Sequence, residues 1–190
     1  MRYSFVLAVK KTATYDDLVA LPSHLVGEII DGELIASPRP ATTHARATTR
    51  LATDLEGPFG RGKGGPGGWV ILYEPELHIV EQVLVPDLAG WRRERMPELP
   101  DAAYLELSPD WLCEVLSPAT AKIDRARKMS HYAAAGVRHV WLVDPVATTL
   151  EVYRLDGEGW RLVQTHAGDT TIRPEPFEAV ELDLGSLWSR

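Results

Sequence analysis

The chain of 190 residues has one cysteine, no long apolar run and no excess of positive charge. The lone thiol, Cys113, cannot form an internal disulfide, so there is no reason to infer an oxidising compartment. No apolar run approaches the roughly 20 residues that a membrane-spanning helix needs. The short apolar stretch at 5–9 is followed by Lys10 and Lys11, which is the wrong order for a secretion signal. We therefore expect a cytoplasmic protein without a membrane partner.

The formal net charge is −7, from 27 acidic residues against 20 lysines and arginines. Tight non-specific binding to nucleic acid depends on neutralising phosphates, and this charge balance argues against it. The basic residues nevertheless cluster at 39–63, 92–95 and 122–128, whereas the acidic residues concentrate at 151–183. A basic surface above an acidic site and an evenly solvated mixed surface both fit this distribution.

Two kinds of site lack support in the sequence. The six histidines show no spacing typical of zinc ligands. The glycine-rich segment 57–68 matches the spacing of two phosphate-binding motifs, but both motifs need a strand before the loop and a helix after it. Here the predicted helix comes first and the strand follows, so we do not predict a nucleotide site in this loop.

Apolar periodicity and turn signals predict one domain over residues 1–190 with alternating strands and helices. Thr14 is expected to cap a short helix, and Asp31-Gly32 is typical of a type I′ turn in a hairpin over 28–35. The pattern predicts helices over 42–55 and 118–135, the second starting at Ser117-Pro118. It predicts strands over 69–73, 77–80, 83–85, 111–114 and 140–143, a hairpin over 150–165, and an irregular connection over 91–107.

Two carboxylates and a lysine are the candidate functional residues. Asp87 and Glu114 each follow an apolar run that is typical of a buried strand. An acid in this position costs free energy unless it is paired or holds a cation. Two such acids and Lys128 are sufficient to hold a divalent metal and an activated water. For either acid alone, a loop cap or a pairing with arginine remains the alternative.

The position of Lys128 has two readings. Counted from Pro118, Lys128 lies about 15 Å along the predicted helix and Glu114 lies about 13 Å back along the strand. If the helix runs antiparallel to the strand, the two residues reach a similar height. Helix periodicity alone favours a surface position, because Ala119, Ile123 and Ala126 form an apolar stripe on the other side. On that reading Lys128 is an exposed i,i+4 partner of Asp124.

The ordered set of these residues resembles a nuclease family. Pro86-Asp87 and Glu114-Val115-Leu116 resemble the PD-(D/E)xK nuclease motif, with Leu116 at the position of the motif lysine. A longer set resembles the Uma-two family of restriction-endonuclease-like proteins, in which the following helix is thought to supply the lysine, here Lys128. That set comprises 28–34, 86–89, 114–118, Asp124, Lys128, Tyr132, 136–137 and 141–145.

The resemblance implies an α/β (α+β) fold with a restriction-endonuclease-like mixed central β-sheet, flanked by helices and with added β-hairpins. It implies that Asp87, Glu114 and the Val115 carbonyl hold Mg²⁺ or Mn²⁺, and that Lys128 orients the attacking water. The implied reaction is hydrolysis of phosphodiester bonds in a DNA substrate, and a homodimer is compatible with it.

Glu28, as an extra acid, and His44, as a substrate contact, are secondary candidates. Two other functions stay open. The acidic net charge and Leu116 favour a non-catalytic module that binds nucleic acid or protein. A phosphohydrolase acting on small substrates fits the same metal site.

Overall fold

The computed structural model describes residues 12–38 and 40–189, so the segment 5–11 used in the localisation argument lies outside the described residues. Two π-helical turns, Glu56–Gly60 and Asp124–Lys128, interrupt or extend helices. The other elements, in chain order, are α1 (Tyr15–Val19), β1 (Leu25–Ile30), β2 (Glu33–Pro38), α2 (Thr42–Leu55), β3 (Trp69–Tyr73), β4 (Leu77–Ile79), β5 (Gln82–Leu84), β6 (Leu88–Arg92), β7 (Trp111–Val115), α3 (Ala121–Ile123), α4 (Met129–Ala134), β8 (His139–Asp144), β9 (Thr149–Asp156), β10 (Gly159–Ala167), β11 (Thr171–Ile172), β12 (Leu182–Asp183) and α5 (Leu184–Trp188).

A six-stranded mixed sheet with the order β10-β9-β8-β7-β6-β3 forms the centre of the molecule. Strands β7 and β8 are parallel and are joined by the helical segment 121–134, whereas the other neighbours in this sheet are antiparallel. A second, antiparallel sheet has the order β2-β1-β5-β4, and β11 pairs with β12. This architecture confirms the predicted mixed sheet with flanking helices and added hairpins.

The alternation of side chains along β7 divides the interior into two cores. Trp111, Cys113 and Val115 pack on one face with α2, α5 and the C-terminal segment. Leu112, on the opposite face, packs with the helical segment 121–134 and the four-stranded sheet. Cys113 is thus a buried packing residue on the face away from Glu114, as its place in the strand predicts.

Several local predictions are confirmed. Thr14 caps α1 through a capping box, and α2 spans 42–55 as predicted. Asp31 and Gly32 both have positive φ, 54° and 73°, as the predicted turn requires. Within residues 12–38 and 40–189, no helix has the length and apolarity needed to cross a membrane.

The prediction for segment 77–107 is partly wrong. β4 and β5 form a hairpin whose turn residues, Val80 and Glu81, have φ of 49° and 59° without the usual glycine or asparagine. Strand β6 (Leu88–Arg92) occupies the start of the segment predicted as irregular. Asp87 therefore precedes a central strand instead of ending the preceding one, and β5 belongs to the other sheet.

The helix predicted from Pro118 begins three residues later, at Ala121. Ser117 and Thr120 form a turn before it, in which the Thr120 N–H donates to the Ser117 hydroxyl over 3.2 Å. The segment then changes from α to π geometry at Asp124–Lys128 and returns to α geometry in α4. We call residues 121–134 the site helix.

An aromatic cluster around Phe177 stabilises the face of the central sheet away from the site helix. The Phe177 ring lies 4.7 Å from Phe59, 4.8 Å from Trp69, 5.0 Å from Trp111 and 5.5 Å from Trp141, measured between centroids. All of these side chains are almost fully buried. Tilted and edge-on ring contacts of this kind add to the stabilisation that apolar burial provides.

We expect Phe177→Ala to lower the free energy of unfolding by about 3–5 kcal/mol, because it removes a buried ring and leaves a cavity. Urea unfolding followed by tryptophan fluorescence measures the change. Leu162→Ala is the control, since Leu162 is 49% exposed and should change stability by no more than about 0.5 kcal/mol. Equal losses in the two variants would contradict the role given to the cluster.

Candidate active site

Strand pairing brings Asp87 and Glu114 together. Leu88 pairs with Cys113 in antiparallel β6 and β7, so the residue before Leu88 faces the residue after Cys113. The Val115 N–H donates to Asp87 Oδ2 over 2.7 Å, which fixes the aspartate at the end of β7. The two carboxylates therefore reach one edge of the sheet from neighbouring strands, although they are 27 positions apart in sequence.

Lys128 extends from the site helix towards the same edge. Its Nζ lies 2.8 Å from Glu114 Oε1, 2.9 Å from Glu28 Oε1 and 3.6 Å from Asp124 Oδ1. It also donates to the Val85 carbonyl over 3.5 Å. The Lys128 side chain is 3% exposed, so the surface position favoured by helix periodicity is wrong.

The site helix buries its polar stripe and exposes part of its apolar one. Asp124, Lys128 and Tyr132 recur every fourth residue and are all buried, whereas Ala126 of the apolar stripe is exposed. Periodicity arguments assume that the apolar stripe faces the core. Here the opposite face packs inward, because the carboxylates at the end of β7 and in β1 offer partners for its buried charges.

Arg127 fixes the site helix to the β1–β2 hairpin. Its guanidinium donates to the Ile30 carbonyl over 2.7 Å, and lies 3.0 Å from the Asp31 carboxylate and 3.1 Å from that of Glu33. The hairpin carries Glu28, which contacts Lys128. These contacts hold the helix and β1 at the spacing that the Lys128–Glu28 pair requires.

The cavity brings several carboxyl groups together with one ammonium, and their pKa values shift accordingly. Burial on its own would lower the pKa of Lys128, but the carboxylates of Glu114 and Glu28 outweigh burial and raise it well above its usual value. Burial raises the pKa of Glu114 well above its usual value, and the carboxylates of Asp124, Asp87 and Glu28 raise it further against the opposing effect of Lys128. Burial likewise raises the pKa of Asp124. Lys128 is therefore charged, and it does not neutralise the surrounding acids.

Tyr132 and His44 hold the two central carboxylates. The buried Tyr132 hydroxyl donates to Glu114 Oε1 over 2.5 Å, the same oxygen that Lys128 contacts. His44 Nε2 lies 3.2 Å from Asp87 Oδ1. Burial alone would lower the pKa of His44, but its hydrogen bond to Asp87 and the charge of that carboxylate raise it above its usual value.

All six candidates from the sequence line one cavity of about 320 Å³. These are Glu28, His44, Asp87, Glu114, Val115 and Lys128. Two residues that the sequence argument did not assign to the site also belong to it. Asp124 lines the cavity, whereas helix periodicity predicts a surface pair with Lys128, and Tyr132 lies behind Glu114. Their four-residue spacing around Lys128 was the available signal, since the three share one helix face.

The donor set fits a hard divalent cation. Asp87 and Glu114 offer carboxylate oxygens, and the Val115 backbone offers a carbonyl at the same edge. Mg²⁺ in proteins commonly uses one or two carboxylates and keeps several waters. Among the described residues there is no group of three or more His, Cys, Asp or Glu side chains arranged to hold a metal. A site with two carboxylates, one carbonyl and waters agrees with that finding, and a divalent ion would favour the charged forms of the buried acids.

The fold and the sequence together identify a class of protein. Residues 14–185 match the sequence model of the Uma2 (Uma-two) family, which is described as "Putative restriction endonuclease". Because this match covers most of the chain, the protein belongs to that family, and the resemblance predicted from its motifs is confirmed.

One similar crystal structure is that of a protein from Anabaena variabilis described as a putative nuclease belonging to DUF820. The two chains are 22% identical with a TM-score of 0.74, over 93% of this chain and 97% of the other. This likeness supports the same fold. No curated protein sequence matches the chain.

We expect Lys128→Met to lower the free energy of unfolding by about 3–5 kcal/mol at neutral pH, because it leaves buried carboxylates without a cation. The loss should shrink as the pH falls, and should begin to do so above about 4, the usual pKa range of Asp and Glu, because the pKa values of Glu114 and Asp124 are raised. Folded-state carboxylates with raised pKa values bind protons that the unfolded chain does not, so their stability contribution is present at low pH and disappears as the pH rises.

Denaturant unfolding of both proteins between pH 4 and 8 measures this difference. Lys122→Met is the matched control, because Lys122 is an exposed lysine in the same helix. It should change stability by at most about 0.5 kcal/mol at any pH. A loss for Lys128→Met that is equally small would contradict the buried cluster.

Proposed function

We propose that the protein is a metal-dependent endonuclease that hydrolyses phosphodiester bonds in DNA. One observation carries the proposal: the Lys128 ammonium, supplied by a helix, lies 2.8 Å from the Glu114 carboxylate in the cavity that Asp87 also lines. The three residue types of the nuclease motif thus meet although Leu116 takes the usual place of the lysine. Membership of the family supports the same activity.

Each residue has a proposed role. Asp87, Glu114 and the Val115 carbonyl hold Mg²⁺ or Mn²⁺, which when bound polarises the phosphate and lowers the pKa of a water. Lys128 keeps its proton, because its pKa is raised by the adjacent carboxylates. It therefore acts as a positive charge and hydrogen-bond donor towards the attacking water and the developing phosphate charge, and not as a base.

Three further residues position the proposed metal ligands and Lys128. Tyr132 fixes the orientation of the Glu114 carboxylate through its hydroxyl. His44 holds Asp87 from the side of α2 and lies where it can also contact substrate. Glu28 shares the Lys128 ammonium and accepts the Val85 N–H over 2.8 Å, which ties the lysine to β1 and the start of the β5–β6 connection.

A non-catalytic module is the second candidate function. The observation that favours it is that Lys128 contacts three carboxylates and a backbone carbonyl, enough to hold the ammonium as a structural ion in the interior. In that case the fold binds nucleic acid or protein through another surface. The following two predictions separate the candidates.

We expect Mn²⁺ to stabilise the folded protein. A metal bound only by the folded state, at a concentration about 100 times its Kd, stabilises by about 2.7 kcal/mol, so the Tm should rise. Glu114→Gln should lose this response, whereas Glu94→Gln should keep it, because Glu94 is exposed beyond the end of β6 opposite to Asp87. Thermal unfolding with and without Mn²⁺ measures the response. An identical shift in wild type and Glu114→Gln would remove Glu114 from the metal site.

We expect purified protein to cleave DNA in the presence of Mn²⁺ or Mg²⁺, and Asp87→Asn to reduce kcat/KM by at least about 100-fold, the range typical of electrostatic and acid–base roles. The asparagine keeps the size of the side chain and an oxygen for the Val115 N–H. Asp87→Asn also controls for contaminating nucleases, whereas Glu94→Gln, prepared in parallel, should keep the wild-type rate because Glu94 is exposed. Cleavage that is absent, or that persists unchanged in Asp87→Asn, would favour the non-catalytic module.

A further inference from the structure

Most charged groups of the site lie on the floor of the cavity, Glu74 and Asp87 are half-buried, and the exposed residues at the mouth are uncharged. Glu28, His44, Glu114, Asp124 and Lys128 are all at most 9% exposed. The exposed lining residues are small or apolar: Pro38, Ala41, Pro118 and Ala119. A phosphate must therefore pass between apolar walls before it reaches the carboxylates and the lysine.

The charge of the lining is unsuited to the outside of a DNA duplex. Among the described lining residues Lys128 is the only lysine or arginine, and it is on the floor. Five carboxylates line the same cavity, from Glu28, Glu74, Asp87, Glu114 and Asp124. Proteins that hold a duplex place cations against the phosphates on both sides of the contact. Among the described residues of the mouth, none offers such a cation to the backbone of a duplex.

The size and depth of the cavity also bear on whether a DNA duplex can enter it. A duplex is stiff over about 150 base pairs, so deforming it to bring one phosphate into a recess costs free energy that a flexible single strand avoids. A cavity of about 320 Å³ falls within the size that binds a molecule as large as a nucleotide. Enzymes whose target atom is out of reach inside a duplex act on single strands or extrude the nucleotide at a cost in free energy.

We propose that this site acts on unpaired nucleotides, with single-stranded DNA, or an unpaired arm of a duplex, as its substrate class. The proposal rests on the nuclease function proposed above. The unpaired nucleotide places its phosphate on the charged floor, while the sugar and base lie against the apolar mouth formed by Pro38, Ala41, Pro118 and Ala119. The apolar faces of a base and a sugar can lie against these walls. Contact of this kind does not depend on the base sequence.

The test compares one labelled strand in three forms with Mn²⁺: alone, in a blunt duplex, and in a duplex that leaves one arm unpaired. We expect kcat/KM for the blunt duplex to be at least about ten-fold lower than for the free strand, because the free energy of unpairing is subtracted from the free energy of binding. Cuts in the third form should fall within the unpaired arm. Equal or faster cleavage of the blunt duplex, by an activity that Asp87→Asn removes, would overturn this inference and leave the nuclease function intact. Absence of any Asp87-dependent cleavage would overturn both.

A charge variant tests passage through the mouth. Ala41→Glu adds a negative charge beside the cavity, and should raise KM for the single strand severalfold with little effect on kcat, because it repels phosphates before they reach the floor. Ala102→Glu is the matched control, since Ala102 is exposed in the 93–110 connection and does not line this cavity. The same KM in both variants would show that the strand does not enter between these walls, and would also overturn the inference.

Discussion

The burial of the Lys128 ammonium is the constraint on which the rest of the site depends. Removing a charge from water costs several kcal/mol, and the cost is recovered only where opposite charges and hydrogen bonds replace the lost hydration. The partners come from three places: Glu114 at the end of β7, Glu28 in β1 and Asp124 one turn earlier in the site helix. Since these elements belong to two sheets and a helix, the ammonium fixes their relative positions. The cavity is the space that remains above the ammonium where the three elements meet.

The two faces of the central sheet contribute differently: one supplies stability, and the other carries the candidate site. On one face an aromatic cluster around Phe177 and the apolar side of α2 form a dense core without buried charge among its members. On the other face a helix presents acids, a lysine and a tyrosine to the strand ends. A folded protein can bury so many unfavourable polar groups on one side only if the other side supplies surplus stability, and natural proteins depart from local rules mainly at functional sites.

The sequence could predict features that depend on neighbouring residues, but not features that depend on residues far along the chain. The Thr14 cap, the Asp31-Gly32 turn and helix α2 depend on neighbouring residues, and all three agree with the structure. The turn at Val80-Glu81 was missed because neither residue belongs to the types that favour positive φ. The buried face of the site helix was missed because its partners are far along the chain. Nothing near Lys128 in sequence shows that Glu28, 100 positions away, will accept its charge.

Leu116 stands where the nuclease motif that this chain resembles has a lysine, and its packing is consistent with a charge supplied from the site helix. It lies two positions after Glu114, on the same side of the chain, and its side chain is 3% exposed in the apolar core beneath the site helix. A lysine there would need its own buried partners, whereas leucine packs against the helix that carries Lys128. The helix thus supplies the ammonium from above the carboxylate and the strand supplies the apolar support for that helix. In this chain the cation within hydrogen-bonding distance of Glu114 therefore comes from the helix, and the strand position is filled by an apolar side chain.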